Sequence, residues 1–209
     1  VCQAPGVERV RLGSLEPGII TEEFVKELSE MEKVCPHFHL SLQSGSDTVL
    51  KRMNRKYTAE EYFHKCELLR EYYEHPAITT DIIVGFPGET EEEFSETCAF
   101  VKKAALYEIH VFKYSRRDGT VAARMPDQIP ERVKSERSRT LMEIAEELKA
   151  DFIRWYEGKT VEVLFEEPVI IGGKRYYEGF TPEYVKTLYP TEESIGNRIM
   201  KVEFFRDLV

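Results

Sequence analysis

The chain has 209 residues, 42% hydrophobic and 32% charged, with a net charge of −9. This balance excludes a disordered chain and supplies a real apolar core, in one large domain or a medium one plus a small one. The acidity excludes strong nucleic-acid binding through the whole surface and leaves room for a local basic face.

The first three quarters repeat an apolar run followed by an amphipathic helix. Residues 7–12 are the first run, and a helix opens at Thr21 with Glu22 and Glu23 at its positive dipole end. Residues 37–42 are the second run. A short helical turn follows around Val49, Leu50 and Met53, and a longer helix starts at Thr58, where Glu61 completes a capping box. His75-Pro76 ends it. The third run, 78–85, is nearly continuous in apolar residues and reads as a strand covered on both faces. Gly85-Phe86-Pro87-Gly88 is a tight loop, and Thr90 with Glu93 begins the next capped helix. The fourth run is 109–114. Strand then helix, four times, predicts parallel βαβ units of an α/β fold that cannot close into a full eight-stranded barrel, so either the sheet is open or the missing strands lie on an absent segment.

A loop rich in Arg, Gly and Pro spans 114–128. A long helix begins near Pro130, lined by Leu141, Ile144, Leu148, Phe152 and Trp155, and stops at Gly158. Then the pattern changes to short β-branched and aromatic segments, 159–165, 175–180, 184–188 and 199–205, divided by Gly and Pro. These predict a small all-β barrel or sandwich. The expected domains are therefore 1–155 and 156–209.

The longest apolar runs fall far short of the ~20 residues that span a membrane, and no membrane contact is expected. No apolar stretch follows a basic start near Val1, so no signal peptide is expected. Cys2, Cys35, Cys66 and Cys98 are too scattered for a zinc site, a redox motif or a disulfide scaffold, so a cytoplasmic setting is expected. The first residue is Val1, as expected for a piece of a longer protein.

Parallel α/β sheets bind ligands at the carboxyl ends of their strands. Here those ends carry Ser14 and Glu16, then Gln43 and Ser44, then Gly85, Phe86 and Pro87, then Tyr114, Arg116 and Arg117. Small, polar and glycine residues at four ends predict one shared polar site. Glu16 suits an amine, Gln43 and Ser44 suit ribose hydroxyls, and the glycine turn lets backbone approach a flat ring. Asp81 interrupts an apolar strand and is expected either in a polar network or at a wet strand end. His37 and His39 point to one side of their strand. A metal pair would need a third ligand that the sequence does not show, so a packed or hydrogen-bonded pair is expected and no metal site. Lys51, Arg52, Arg55 and Lys56 form one basic cluster and residues 113–139 a second, each suited to phosphates or to a solvated face. The acidic run 89–96 is assigned no function beyond a helix start and solubility.

The ordered motifs carry a resemblance. Arg11-Leu12-Gly13-Ser14-Leu15-Glu16-Pro17, the string from Cys35 to Asp47, Arg52-Met53-Asn54-Arg55 and Thr80-Asp81-Ile82-Ile83-Val84-Gly85-Phe86-Pro87-Gly88-Glu89-Thr90 resemble the radical S-adenosylmethionine methylthiotransferases. The tail from Tyr156 resembles the TRAM barrel that ends those enzymes. Ser41, Asn54-Arg55-Lys56-Tyr57 and the 179–185 segment are most similar to the subgroup acting on threonylcarbamoyladenosine in tRNA. Relatives modify isopentenyladenosine in tRNA or a ribosomal-protein aspartate. The resemblance implies S-adenosylmethionine, [4Fe–4S] clusters and tRNA as partner. It implies reductive cleavage of S-adenosylmethionine to a deoxyadenosyl radical and methylthiolation at C2 of a modified adenine. It places Glu16, Gln43 and Ser44 near the methionine or ribose and Gly85, Phe86 and Pro87 near the adenine, with Ser14 and Asp81 as further expected cofactor contacts. Arg52, Arg55, Tyr114, Arg116 and Arg117 are the expected substrate or RNA contacts. The family's C-x3-C-x2-C ligands are absent from this sequence. The resemblance therefore implies an α/β carboxy-terminal fragment, a partial parallel (β/α) barrel of radical SAM type lacking its first strands and followed by a small all-β TRAM-like barrel, without catalytic residues and inactive alone. The alternatives are a ribosomal-protein methylthiotransferase, a non-catalytic RNA-binding module, or a scaffold associating through its unpaired first strand.

Overall fold

The computed structural model describes residues 1–205; residues 206–209 of the expected 156–209 unit lie outside the described residues. Four parallel strands, β1 (Ser14–Leu15), β2 (His37–Leu40), β3 (Ala77–Val84) and β4 (Glu108–Lys113), lie in sequence order. Between them run α1 (Glu22–Ser29), α2 (Asp47–Arg52), α3 (Ala59–Tyr72) and α4 (Glu91–Ala104), and α5 (Glu131–Arg154) follows β4. The N-terminal caps are local chemistry. Thr21 accepts from the Phe24 N–H, and Thr58 and Thr90 each form the reciprocal capping box with Glu61 and Glu93.

The helices cover one face of the sheet. Phe38 and Leu40 of β2 and Ile78, Ile82 and Val84 of β3 are buried there against Val25, Tyr62, Leu69, Phe94, Val101 and Leu141. The opposite face is covered only toward the amino ends of the strands, where Ala77 joins Tyr107, Ile153, Tyr156 and Phe204 in a second core. Toward the carboxyl ends that face is open: Asp81 and Ile83 are half-buried, and Phe112 is 52% exposed. β3 is thus not enclosed on both faces along its length. Its apolar run reflects one face under helices and another that turns from core to cleft.

The antiparallel sheet holds β5 (Thr160–Ile171), β6 (Lys174–Phe180), β7 (Lys186–Pro190) and β8 (Arg198–Glu203) in the order β7-β6-β5-β8. The first half of β5 pairs with β8 and the second half with β6, across a bulge between Phe165 and Glu167. The sheet packs at the amino ends of the parallel strands. Arg9 donates to the Phe180 carbonyl at 2.9 Å and to Glu162 at 3.0 Å. Tyr184 stacks on Phe180 at 4.4 Å, lies edge-on to His37, and carries the Arg11 guanidinium 3.9 Å above its ring.

Two expected strands shift. Residues 7–12 form no strand: the Val10 N–H donates to the Lys33 carbonyl and its carbonyl accepts from Cys35, so the α1–β2 loop takes these groups, and on the edge away from β3 the β2 strand pairs with Ser14–Leu15. The strand expected at 184–188 starts at Lys186, because Tyr184 adopts φ 67° in a turn closed by Thr181.

Candidate functional site

A cleft of about 480 Å³ opens at the carboxyl end of β3 and β4. It gathers Gln43, Asp81, Phe86, Tyr114 and Arg117 among the sequence-nominated residues, joined by Ile83, Phe112 and Lys113. Gln43 is placed by backbone alone. It takes φ 74°, its N–H donates to the Asp81 carbonyl, and its carbonyl accepts from Ile83, which extends β2 past its regular end. Phe86 and Tyr114 meet edge to face at 5.4 Å and form the aromatic wall. Among the described residues the buried Tyr114 hydroxyl has no hydrogen-bond partner. A buried hydroxyl of this kind is an open bonding position on the cleft wall.

The Gly85-Phe86-Pro87-Gly88 loop is held from below. The Gly85 N–H donates to Glu89 Oε1 at 2.9 Å, and the same carboxylate accepts from buried Arg137 at 2.7 Å. Burial pushes the Glu89 carboxyl above its ordinary range, opposed by the Gly85 N–H and the Arg137 charge. Gly85 has φ +71°, and a Cβ there would stand 2.2 Å from Lys134 Cγ. Lys134 continues past the glycine and donates to the Tyr114 carbonyl at 3.0 Å. Glu89, Lys134 and Arg137 therefore shape the cleft although none was nominated. Glu89 stands in an acidic run in which Glu91 and Glu92 are exposed, and its charged partner Arg137 comes from α5.

Other nominated residues lie elsewhere. The Ser44 hydroxyl is 3.2 Å from Thr97 Oγ1 and accepts from the Ser46 N–H, in a residue 1% exposed. Gly45 sits so close to α4 that a Cβ would lie 2.8 Å from Thr97 Cα. This segment anchors a helix. Pro87 is buried in the loop below the cleft mouth. Ser14 and Glu16 are exposed at the end of β1, where Glu16 faces Arg55 at 3.5 Å. Arg52 forms a fork with Glu93 at 2.9 and 2.5 Å, which holds the Glu93 carboxyl down to about 2. Arg116 is exposed and, among the described residues, makes no hydrogen bond or ion pair.

The cysteines do not converge. Cys35, Cys66 and Cys98 are free thiols whose pKa burial raises, that of Cys66 to about 12. Among the described residues no three cysteines come together at a metal-binding separation, so these residues do not fit an iron–sulfur cluster, whose ligands are thiolates.

Residues 6–101 match the Radical SAM superfamily. Over 202 residues the chain is 41% identical to the threonylcarbamoyladenosine tRNA methylthiotransferase of Bacillus subtilis, covering 96% of this chain and 45% of that protein. The match and the identity together make the radical SAM family the one this chain resembles. A tRNA-2-methylthio-N(6)-dimethylallyladenosine synthase of Acetivibrio thermocellus is 44% identical over 166 residues, 79% of this chain and 35% of its own. The chain thus spans less than half the length of these relatives. Among solved structures, the radical SAM coproporphyrinogen III oxidase of Escherichia coli superposes with a TM-score of 0.55 at 16% identity, over 95% of this chain and 52% of that one. That likeness shows a shared fold across nearly all of this chain. Among the described residues no helix is long and apolar enough to cross a membrane.

Proposed function

We propose that the chain is part of a radical S-adenosylmethionine tRNA methylthiotransferase that places a methylthio group on C2 of a hypermodified adenosine next to the anticodon. The observation that carries this reading is the 41% identity to such an enzyme along 202 residues. That alignment reaches into the antiparallel sheet, whereas the dimethylallyladenosine relative aligns over 166 residues. The threonylcarbamoyladenosine nucleoside is therefore the preferred substrate. Residues 1–155 are the partial barrel in this reading, and 156–209 a separate TRAM-like unit that meets tRNA. The work is cytoplasmic.

The cleft suits the nucleoside part of S-adenosylmethionine, which supplies the radical and methyl chemistry when bound. Phe86 and Tyr114 offer flat contact to a purine ring. The Gln43 amide and the unpartnered Tyr114 hydroxyl offer hydrogen bonds to hydroxyls, and Asp81 sets a carboxylate toward the cation. Glu16 with Arg55, and Ser14, border the same strand ends. Arg116 and Arg117 carry positive charge to the cleft rim for substrate phosphates. The cluster ligands belong to the part of the longer enzyme that this chain does not include, and the chain alone is inactive.

The test is the tRNA of a strain lacking the gene. Nucleoside mass spectrometry should show threonylcarbamoyladenosine without its methylthio group. The gene should restore the group, and a Gln43→Ala/Tyr114→Phe variant should restore at most a tenth of it. An unchanged methylthio content on deletion overturns the assignment.

A further inference from the structure

Three adjacent strands deliver one metal-ligating side chain each to the open face of the parallel sheet. In the β2–β3 register His39 stands opposite Thr79, and in the β3–β4 register Asp81 stands opposite His110. Thr79 and Asp81 are two apart on one strand and share a face. His39, Asp81 and His110 therefore meet, each offering one donor atom, and the three atoms lie within 4.8 Å of one another. His39 Nε2 is 3.5 Å from Asp81 Oδ2, and the two imidazoles stack at 5.9 Å with planes 25° apart.

We propose that His39, Asp81 and His110 bind a divalent transition-metal ion. Donor atoms about 2.1 Å from one ion lie about 3.0–3.5 Å apart, so the His39–Asp81 pair already has the spacing, and His110 needs only a small movement. The His39 ring is oriented for it: Nδ1 lies 3.0 Å from the Thr79 hydroxyl, which leaves Nε2 toward the carboxylate. A hydrogen bond on the far nitrogen is how proteins fix a ligating imidazole. Thr79 is 2% exposed, so that partner is rigid. His110 is exposed and Asp81 half-buried, which leaves coordination positions open toward the cleft. Two imidazoles and one carboxylate suit zinc, iron(II) or cobalt(II) and are a poor set for magnesium or calcium. The ion is distinct from any cysteine-bound cluster, since no cysteine joins these residues. The proposal does not rest on reading the cleft as a cofactor pocket.

The test is titration of the chelator-stripped 209-residue chain with cobalt(II), followed by its visible ligand-field absorption, and with zinc(II) by calorimetry. One equivalent should bind, with zinc displacing cobalt. His110→Ala alters an exposed residue and should fold as the parent does, yet weaken binding about a hundredfold. Asp81→Ala should do the same, and Thr79→Val should weaken it about tenfold or more by freeing the His39 ring. His64→Ala removes the surface imidazole between Glu60 and Glu67 and should leave binding unchanged. No binding at millimolar metal overturns the proposal. So does binding that survives His110→Ala and Asp81→Ala, or that disappears with His64→Ala. The Gln43→Ala/Tyr114→Phe variant should bind metal normally, so failure of the cofactor reading and of this one are separable.

Discussion

Arg137, on the second turn of α5, donates to Glu89 at 2.7 Å, and the two side chains are 7% and 3% exposed. The Glu89 carboxylate also holds the Gly85 N–H, so one buried ion pair ties the long helix to the loop that forms the cleft. Taking one partner away leaves a charge in a dry place. Arg137→Met should cost about 3–5 kcal/mol of stability, and adding Glu89→Gln should recover part of that loss. Guanidinium unfolding of the three proteins measures it. A loss below ~1 kcal/mol for Arg137→Met would mean that the pair behaves like a surface bridge.

Gly85 is fixed by two independent constraints, its positive φ and the Lys134 stem lying across it. Gly85→Ala should cost about 1–3 kcal/mol, partly from the left-handed backbone and partly from displacing Lys134. The two parts separate in a double-mutant cycle. In a Lys134→Ala background the steric part should vanish and the backbone part remain. Equal costs in both backgrounds would show that Lys134 moves aside freely.

What could be read from the sequence follows the range of the forces involved. The capping boxes at Thr58 and Thr90 are complete within four residues, and the βαβ rhythm is written in apolar spacing, so both were legible. The long-range partners were not. Glu89 is buried beneath the Gly85 N–H and against Arg137, which lies 48 residues further on, while Glu91 and Glu92 stay exposed. Arg52 read as a phosphate contact, yet it is held by Glu93, 41 residues away. Ser44 had the chemistry of a ribose ligand, and its hydroxyl meets Thr97 instead. The third partner of His39 was invisible because only the sheet register sets Asp81 beside His110.

Tyr184 joins the two sheets through three contacts: the stacked Phe180 ring, the His37 edge and the Arg11 guanidinium. Tyr184→Ala should cost about 1–3 kcal/mol and loosen the antiparallel sheet from the strand ends it covers. Tyr184→Phe keeps the ring and should stay within ~0.5 kcal/mol of the parent. Hydrogen exchange locates the effect: amides of β6 and of the segment around Arg9 should lose protection in the alanine variant, while those of α3 and α4 keep theirs. Uniform loss across both sheets would contradict a local docking role.

Glu93 gives the fold an acid limit of known sign. Its carboxyl is held down to about 2 from an ordinary 4.5, first by the hydrogen bond from Arg52, with Thr48 and the Thr90 N–H assisting against burial. A carboxyl with a depressed folded-state pKa contributes its full stability above the unfolded value, and that contribution is lost as pH falls through the folded one. The window is therefore pH 4.5 down to about 2. Glu93→Gln should be less stable than the parent at pH 7, and the difference should shrink steadily through that window. Arg52→Ala should reproduce the trend, because it removes the largest cause. His37 acts over a higher range that meets this one near its top, since burial lowers it from 6.5 to about 4, so its loss of stability on acidification begins earlier and should persist in Glu93→Gln. Thermal midpoints of parent and variants from pH 7 to 2 measure both windows. A parent–Glu93→Gln difference that stays constant down to pH 2 would show that Arg52 does not hold the carboxylate in its charged form.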